Sequence, residues 1–158
     1  KPADSLAPVA KRLGELLVPM LVGMTERGPD SAGMAVFGKP TPGQTRLSFF
    51  HLHGEPDWHA VNTAIVDAVP GTHRVDANGR HAIIHTDSDG EAIRALLKER
   101  FPAIVALAAG SRIQLYKDIG TPAAIASSTT YGKPSLRLDS AKRSSPASTW
   151  RASRSPSQ

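Results

Sequence analysis

The segment MTERGPDSAGMAVFG, residues Met24–Gly38, is the most specific stretch of this sequence and decides how the rest is interpreted. Apolar residues recur at spacings of three and four from Leu6 to Met24, which predicts an amphipathic helix leading into the segment. Gly28 is suited to end that helix, and Pro29 prevents its continuation. The residues from Ala32 to Phe37 are typical of a short buried strand. The stretch therefore predicts a helix, a tight turn and a strand in direct succession.

Downstream of this segment, strand-like and helical patterns alternate. Strand patterns lie at residues 46–53, 72–76, 80–86 and 103–108, and helical patterns lie at residues 56–69 and 91–101. Asn78-Gly79 is the strongest hairpin signal in the chain. The order β-α-β-β-α-β across residues 46–108 predicts a split βαβ unit, the ferredoxin-like plan. The sequence as a whole therefore predicts an α+β fold.

Composition excludes several classes of protein and site. The chain contains no cysteine, which excludes disulfides, thiolate metal sites and a cysteine nucleophile within it. It has no run of 18 apolar residues and no charged-then-apolar signal pattern at its start. We therefore predict a cytoplasmic protein with no membrane association.

The net charge of +5 belongs to the end of the chain. Residues 1–126 hold thirteen Lys and Arg against thirteen Asp and Glu, whereas residues 127–158 hold six basic residues against Asp139 alone. The same end is rich in Ser and Pro and has almost no apolar periodicity, which predicts a disordered tail over residues 127–158. Its few aromatics give no stacking platform, so we expect no specific nucleic-acid binding.

The ten residues from Arg27 to Val36 resemble the Arg-Gly-x-Asp-Ser/Ala-Ala-Gly pattern of class II glutamine amidotransferases, the N-terminal-nucleophile type. The similarity is greatest to stand-alone amidotransferase subunits of glutamate synthase and N-methylglutamate synthase type systems. The resemblance implies a fragment of an αββα sandwich carrying the ferredoxin-like insert. It divides the chain into residues 1–45 and 109–126 of the amidotransferase domain, the insert at 46–108 and the tail at 127–158. It also implies a synthase partner subunit.

The family reaction hydrolyses glutamine to glutamate and ammonia through a cysteinyl thioester. It needs an N-terminal Cys, an Arg in a His-Thr-Arg segment that grips glutamine, and an Asn-Gly pair for the oxyanion. The only His-Thr pair here, His85-Thr86, is followed by Asp87, and Asn78-Gly79 is explained by the hairpin. We therefore predict no catalytic residue and no cofactor in this chain, and an inactive amidotransferase-like protein.

By resemblance, the residues that support the active-site loop are Arg27, Gly28, Asp30, Ser31 and Gly33. Arg27 and Asp30 are expected to fix the loop beside the nucleophile, and the two glycines to meet backbone requirements. A helix cap and strand entry of any α/β protein would use the same residue types. The alternative function is a non-catalytic α+β interaction module whose working surface is the insert.

The ends of the chain also depart from the family pattern. The family begins with a Cys-Gly-Ile strand before the first helix, and this chain begins at Lys1. We expect the chain to be truncated at its start and to read out of frame after about Ala126; a divergent tail is the alternative.

Two further groups of residues suggest metal sites and have simpler explanations. His51, His53 and His59, and separately His81 and His85, suggest zinc, but three or four convergent ligands are needed, so we predict no metal. The segment from Asp87 to Glu91 suggests a calcium loop with the wrong spacing, so helix capping is the favoured interpretation.

Overall fold

The structure, a computed structural model, describes residues 13–27, 30–123, 125 and 136–139. Along the chain the elements are α1 (Leu13–Val22), a 3-10 turn (Thr25–Arg27), β1 (Ser31–Phe37), β2 (Thr45–His51), α2 (Trp58–Ala68), β3 (His73–Asn78), β4 (His81–Thr86), α3 (Gly90–Arg100), β5 (Ile104–Gly110), β6 (Ile113–Ile119) and β7 (Leu136–Asp139). The predicted α+β class is confirmed.

The larger sheet is open and antiparallel, with the strand order β5-β2-β4-β3-β7. The central strands are buried on both faces: all six residues of β4 are buried, as is the run from Leu47 to Phe50 in β2. Because these strands are covered on both sides, their polar members Ser48, His81, His85 and Thr86 are buried together with the apolar ones.

Helices α2 and α3 cover one face of this sheet. Their inward side chains form the main core with apolar residues of β2 to β5; its buried members are Leu47, Phe49, Trp58, Val61, Ile65, Val69, Val75, Ala77, Ala82, Ile84, Ile93, Leu97 and Ile104. Each helix begins at a carboxylate cap, because Asp57 accepts bonds from two backbone amides of α2 and Asp89 accepts one from Glu91. The capping interpretation of Asp87–Glu91 is confirmed at Asp89.

The predicted hairpin is present between β3 and β4. Asn78 pairs with His81, so the loop consists of Gly79 and Arg80, and Gly79 adopts a φ of 56° that favours glycine. The indole N–H of Trp58 donates to the carbonyl of Gly79 at 2.8 Å. The hairpin is therefore tied to the start of α2.

A second sheet of two strands is formed by β1 and β6, which pair antiparallel from Ser31 opposite Ile119 to Phe37 opposite Ile113. The two strands are separated in sequence by the whole segment from β2 to β5. This ribbon contacts the larger sheet through Ser48 of β2 and His81 of β4. These side chains alternate with those facing α2 and α3, so the ribbon lies on the opposite face of the sheet.

Two sequence predictions differ from the structure at the ends of the described chain. A buried face was predicted for the first helix, but Leu16, Met20 and Met24 are exposed by 42%, 68% and 55%. Residues 136–139, predicted to be disordered, form β7 on the edge of β3. The rest of residues 127–158 lies outside the described residues, as does Gly28.

Candidate functional site at the Arg27–Gly33 turn

The turn between α1 and β1 is held at both of its described ends. The amide of Arg27 donates to the carbonyl of Met24 at 2.9 Å, which closes the 3-10 turn. Beyond the turn, the carbonyl of Asp30 accepts from the amide of Gly120 at 2.8 Å. The start of β1 is thereby fixed to the end of β6.

A small cavity of about 160 Å³ lies beside this turn. It is lined by Leu21, Met24, Arg27, Ser31, Ala32, Gly33 and Pro122. Three of the five predicted loop residues, Arg27, Ser31 and Gly33, therefore border one space. Asp30 is exposed and does not line it.

Gly33 has a packing reason to be glycine. A Cβ placed there would lie 3.1 Å from the carbonyl oxygen of Tyr116 on the neighbouring strand β6, which is closer than ordinary contact. A side chain at this position would therefore require the neighbouring backbone of β6 to shift by a few tenths of an ångström. The sequence interpretation of Gly33 as a backbone requirement stays a prediction.

The cavity lining limits its chemistry. It offers the guanidinium of Arg27 and the hydroxyl of Ser31, and the remaining lining residues are apolar or glycine. A guanidinium with a hydroxyl can bind a carboxylate. None of the lining side chains is a carboxylate, imidazole or amine that could activate a nucleophile. The described cavity is therefore equipped to bind or position, not to transfer protons.

The segment His85-Thr86 serves the core. Thr86 Oγ1 accepts from the amide of Ser88 at 2.9 Å and lies 3.0 Å from Nδ1 of His73, whose Nε2 donates to the carbonyl of Val69 at 2.8 Å. Both His73 and Thr86 are about 1% exposed. These side chains satisfy each other inside the fold and are not available to grip a substrate.

The histidines that suggested zinc do not form a set of three ligands, although the rings of His51 and His53 lie 6.3 Å apart, edge to face. Nδ1 of His51 lies 2.9 Å from the carbonyl oxygen of Gly54, and His59 lies on the exposed side of α2. Among the described residues, no group of three or more His, Cys, Asp or Glu side chains could hold a metal ion.

Asp76 on β3 lies close to two arginines and a histidine from three strands. Its carboxylate lies 3.0 Å from Arg74, 3.1 Å from Nε2 of His85 and 3.5 Å from Arg137 of β7. Burial alone would raise the pKa of Asp76, but His85 and Arg74 together hold that pKa below its usual value. His85 Nε2 lies within hydrogen-bond distance of the Asp76 carboxylate, and this contact is the largest of the effects that lower the pKa of Asp76. Because Arg137 of β7 lies next to the Asp76 carboxylate, this basic segment can pair with the edge of β3.

The junction between the two sheets depends on residues that sequence reasoning did not single out for this role. Ser48 Oγ accepts from the amide of Leu115 at 2.9 Å, and Nε2 of His81 donates to the carbonyl of Lys117 at 3.0 Å. Arg80 adds an ion pair to Asp118 at 3.1 Å and stacks over Phe50. The sequence signal that could have indicated this contact is a polar residue, Ser48, within an apolar strand pattern.

This junction makes the stability of the chain dependent on pH. Burial lowers the pKa of His81, although its bond to Lys117 and the nearby Asp118 carboxylate oppose the shift. The folded state therefore binds fewer protons than the unfolded state below the ordinary pKa of about 6.5. We expect His81 to make its full contribution to the free energy of unfolding above that pH. As the pH decreases from that value towards the lower pKa that His81 has in the folded state, the free energy of unfolding should fall.

Replacing His81 by glutamine keeps an N–H donor and removes the titration. Urea unfolding of His81→Gln and of the unmodified chain between pH 5 and pH 8 should show a shallower acid decline in the variant. If the free energy of unfolding depended on pH equally in the variant and the unmodified chain, His81 would not be the source of the decline in acid.

Comparison with known proteins finds a similarity to the glutamine amidotransferase-like protein GlxB of Rhizobium meliloti (strain 1021), which is 34% identical over 113 residues. The match covers 70% of this chain and 37% of the relative, so the chain spans little more than a third of that protein's length. No protein-family model matches the chain, and no solved structure matches it significantly. Within the described residues, no helix is both long and apolar enough to cross a membrane.

Proposed function

We propose that this chain is part of a glutamine amidotransferase-like protein of the class II, N-terminal-nucleophile type. The observation that carries the proposal is the pairing of β1 with β6 around the intervening segment. That pairing is expected if the Arg27–Gly33 turn and the strand after residue 112 belong to one domain interrupted by an insert. The similarity to GlxB supports the same assignment.

The insert is proposed to be ferredoxin-like. Its four strands stand in the order β5-β2-β4-β3, with β4 between the two strands that α2 connects, which supports a split βαβ arrangement. The domain division at residues 1–45, 46–108 and 109–126 follows from this proposal. The larger sheet also recruits β7, so the insert carries a strand from beyond residue 126.

Within this proposal, Arg27, Gly28, Asp30, Ser31 and Gly33 support the loop beside a nucleophile and do not react themselves. The cavity beside the turn is lined by the guanidinium of Arg27 and the hydroxyl of Ser31, and none of its lining side chains is a base. The 158 residues contain no cysteine, and the side chains of His85 and Thr86 are buried within the fold. We therefore propose that this chain alone does not hydrolyse glutamine, and that a synthase subunit is the family partner to which ammonia would pass.

A second candidate function is a non-catalytic interaction module. It is favoured by an open cleft of about 620 Å³ between α3 and the edge strand β5, which is larger than the cavity at the turn. Arg94 and Lys98 lie on its rim, and Phe49 and Ile104 are among the apolar residues that line it. Such a cleft would serve binding, not the amidotransferase reaction.

Glutamate release from glutamine by the purified chain tests the proposal. We expect no release above a buffer blank, with a known glutaminase added to the same buffer as the positive control. Release that rises in proportion to the amount of this chain, and that remains through a further purification step, would contradict the proposed inactivity.

A further inference from the structure

The β3–β4 hairpin reaches from the larger sheet to strand β6 of the ribbon. Nε2 of His81 donates to the carbonyl of Lys117 at 3.0 Å. The guanidinium of Arg80 pairs with the carboxylate of Asp118 at 3.1 Å, and the Asp118 side chain is 11% exposed. A charge-assisted bond that is partly shielded from water stabilises more than an exposed ion pair. Two neighbouring residues of the hairpin therefore hold two neighbouring residues of β6.

The two residues of β6 that the hairpin holds pair with the start of β1. Lys117 lies opposite Gly33, and Asp118 lies opposite Ala32. Gly33 is also the last residue of the Arg27–Gly33 turn and lines the cavity beside it. Only the width of β6 therefore separates the hairpin from the end of this turn.

The hairpin is itself firmly attached to the larger sheet and its helices. The indole of Trp58 in α2 donates to the carbonyl of Gly79. The guanidinium of Arg80 donates to the carbonyls of His51 and Leu52. Because a guanidinium carries its donors in one rigid plane, the bonds on one side fix the direction of the bond on the other. The hairpin is therefore a rigid support for β6.

We propose that the β3–β4 hairpin positions the Arg27–Gly33 turn, with Arg80 and His81 acting as positioning residues through β6. The hairpin fixes β6, and β6 in turn fixes the first residues of β1 by strand pairing. The insert thus braces the turn of the domain that it interrupts. As a role at an active-site loop, this bracing rests on the proposed function, in which the turn supports a nucleophile.

His81 makes this positioning dependent on pH. It is 4% exposed, and the groups around its ring are Phe50 of β2, the adjacent Arg80, and Tyr116 and Asp118 of β6. A proton added to the ring would place a second cation beside Arg80 in a site that excludes water, and the Asp118 carboxylate offsets this cost only in part. Acid therefore favours release of β6 from the hairpin.

Hydrogen exchange of single amides, followed by NMR on the whole chain, measures the positioning without any activity. Bonding alternates along the ribbon from the pair of Asp30 and Gly120, so the amide of Ala32 is bonded to β6 and reports on the start of β1. The amide of Ile84, between β2 and β3, reports on the larger sheet. In Asp118→Asn we expect protection to fall about fivefold or more at Ala32 and to change less than about twofold at Ile84.

A matched control is available on α3. Glu91→Gln makes the same chemical change in an ion pair with Arg94, of 2.8 Å, which lies across the larger sheet from the ribbon. This variant should leave the protection of both Ala32 and Ile84 unchanged within about twofold.

The pH dependence gives a second readout. Relative to the exchange of an unstructured peptide, protection at Ala32 in the unmodified chain should fall between pH 8 and pH 5, by at most about tenfold per pH unit because one group titrates. His81→Gln keeps an N–H donor and removes the titration, so its protection at Ala32 should stay constant over the same range.

The positioning role is overturned if Asp118→Asn lowers protection at Ala32 no more than Glu91→Gln does. It is also overturned if Ala32 and Ile84 lose protection equally, since the contacts would then stabilise the whole fold and not the turn. An equal acid loss in His81→Gln overturns the role of His81. None of these results bears on glutamate release, so failure of the positioning role is distinguishable from failure of the proposed function.

Discussion

Replacing Trp58 by alanine is expected to lower the free energy of unfolding by about 3–5 kcal/mol, a large part of the roughly 5–15 kcal/mol that holds a typical domain. The side chain is 2% exposed and lies in the main core, where α2 meets the sheet. Its indole also donates to Gly79 in the hairpin loop. Removing it therefore leaves a cavity and an unpaired carbonyl at one place.

The two contributions can be separated. Trp58→Phe keeps most of the apolar volume and loses the hydrogen bond, so a smaller loss of about 1–3 kcal/mol is expected. Urea unfolding followed by far-UV circular dichroism measures both variants, since tryptophan fluorescence would itself change. Thr63→Ala, on the exposed side of α2, is the control and should stay within about 0.5 kcal/mol of the unmodified chain.

This account of Trp58 is contradicted by two results. If Trp58→Phe cost as much as Trp58→Ala, the hydrogen bond to Gly79 and not the packing would dominate. If both variants lost less than about 1 kcal/mol, α2 would not be held to the sheet by this side chain.

The local elements between β2 and β5 could be predicted from the sequence because each carries its own signal. Apolar residues alternate along the strands and recur every three or four positions along the helices, which distinguishes the two. Caps and the Asn78-Gly79 pair mark where these elements end. Asp89 caps α3 where its signal places the cap, and the hairpin loop, Gly79-Arg80, lies one residue beyond the Asn78-Gly79 pair. The periodicity alone does not give the strand order or the position of the ribbon, because these depend on contacts between distant residues.

The first helix shows the opposite case. Its periodicity indicates which face is apolar, but no pattern in the sequence says whether another element covers that face. Leu16 and Met20 are exposed, and none of the side chains from Glu15 to Val22 is buried. Periodicity predicts a preference for burial, and burial itself needs a partner surface.

The tail and the site were predicted only in part. Residues 136–139 have too short an apolar pattern to indicate a strand, yet β3 offers an edge and Asp76 attracts Arg137. At the site, Arg27, Ser31 and Gly33 line one cavity, and their support of an active-site loop stays a prediction. It did not predict that Ser48 and His81 hold the ribbon, because each contact joins residues more than thirty positions apart.

The central claim is that the Arg27–Gly33 segment carries the family resemblance, whereas the stability of the chain lies in the five-stranded sheet. Among the side chains that the structure describes, thirteen buried apolar ones form one cluster between the sheet and the segments of α2 and α3, and none of those from Glu15 to Val22 in α1 belongs to it. Opening free energies within one protein range from near zero to the global value, so protection should differ greatly between the two regions.

Amide hydrogen exchange is the measurement that tests this most directly. Amides of β2 and β4 should exchange slowest, and those of α1 and β1 faster, by about a thousandfold or more for α1. Protection of α1 and β1 equal to or greater than that of β2 and β4 would contradict the account.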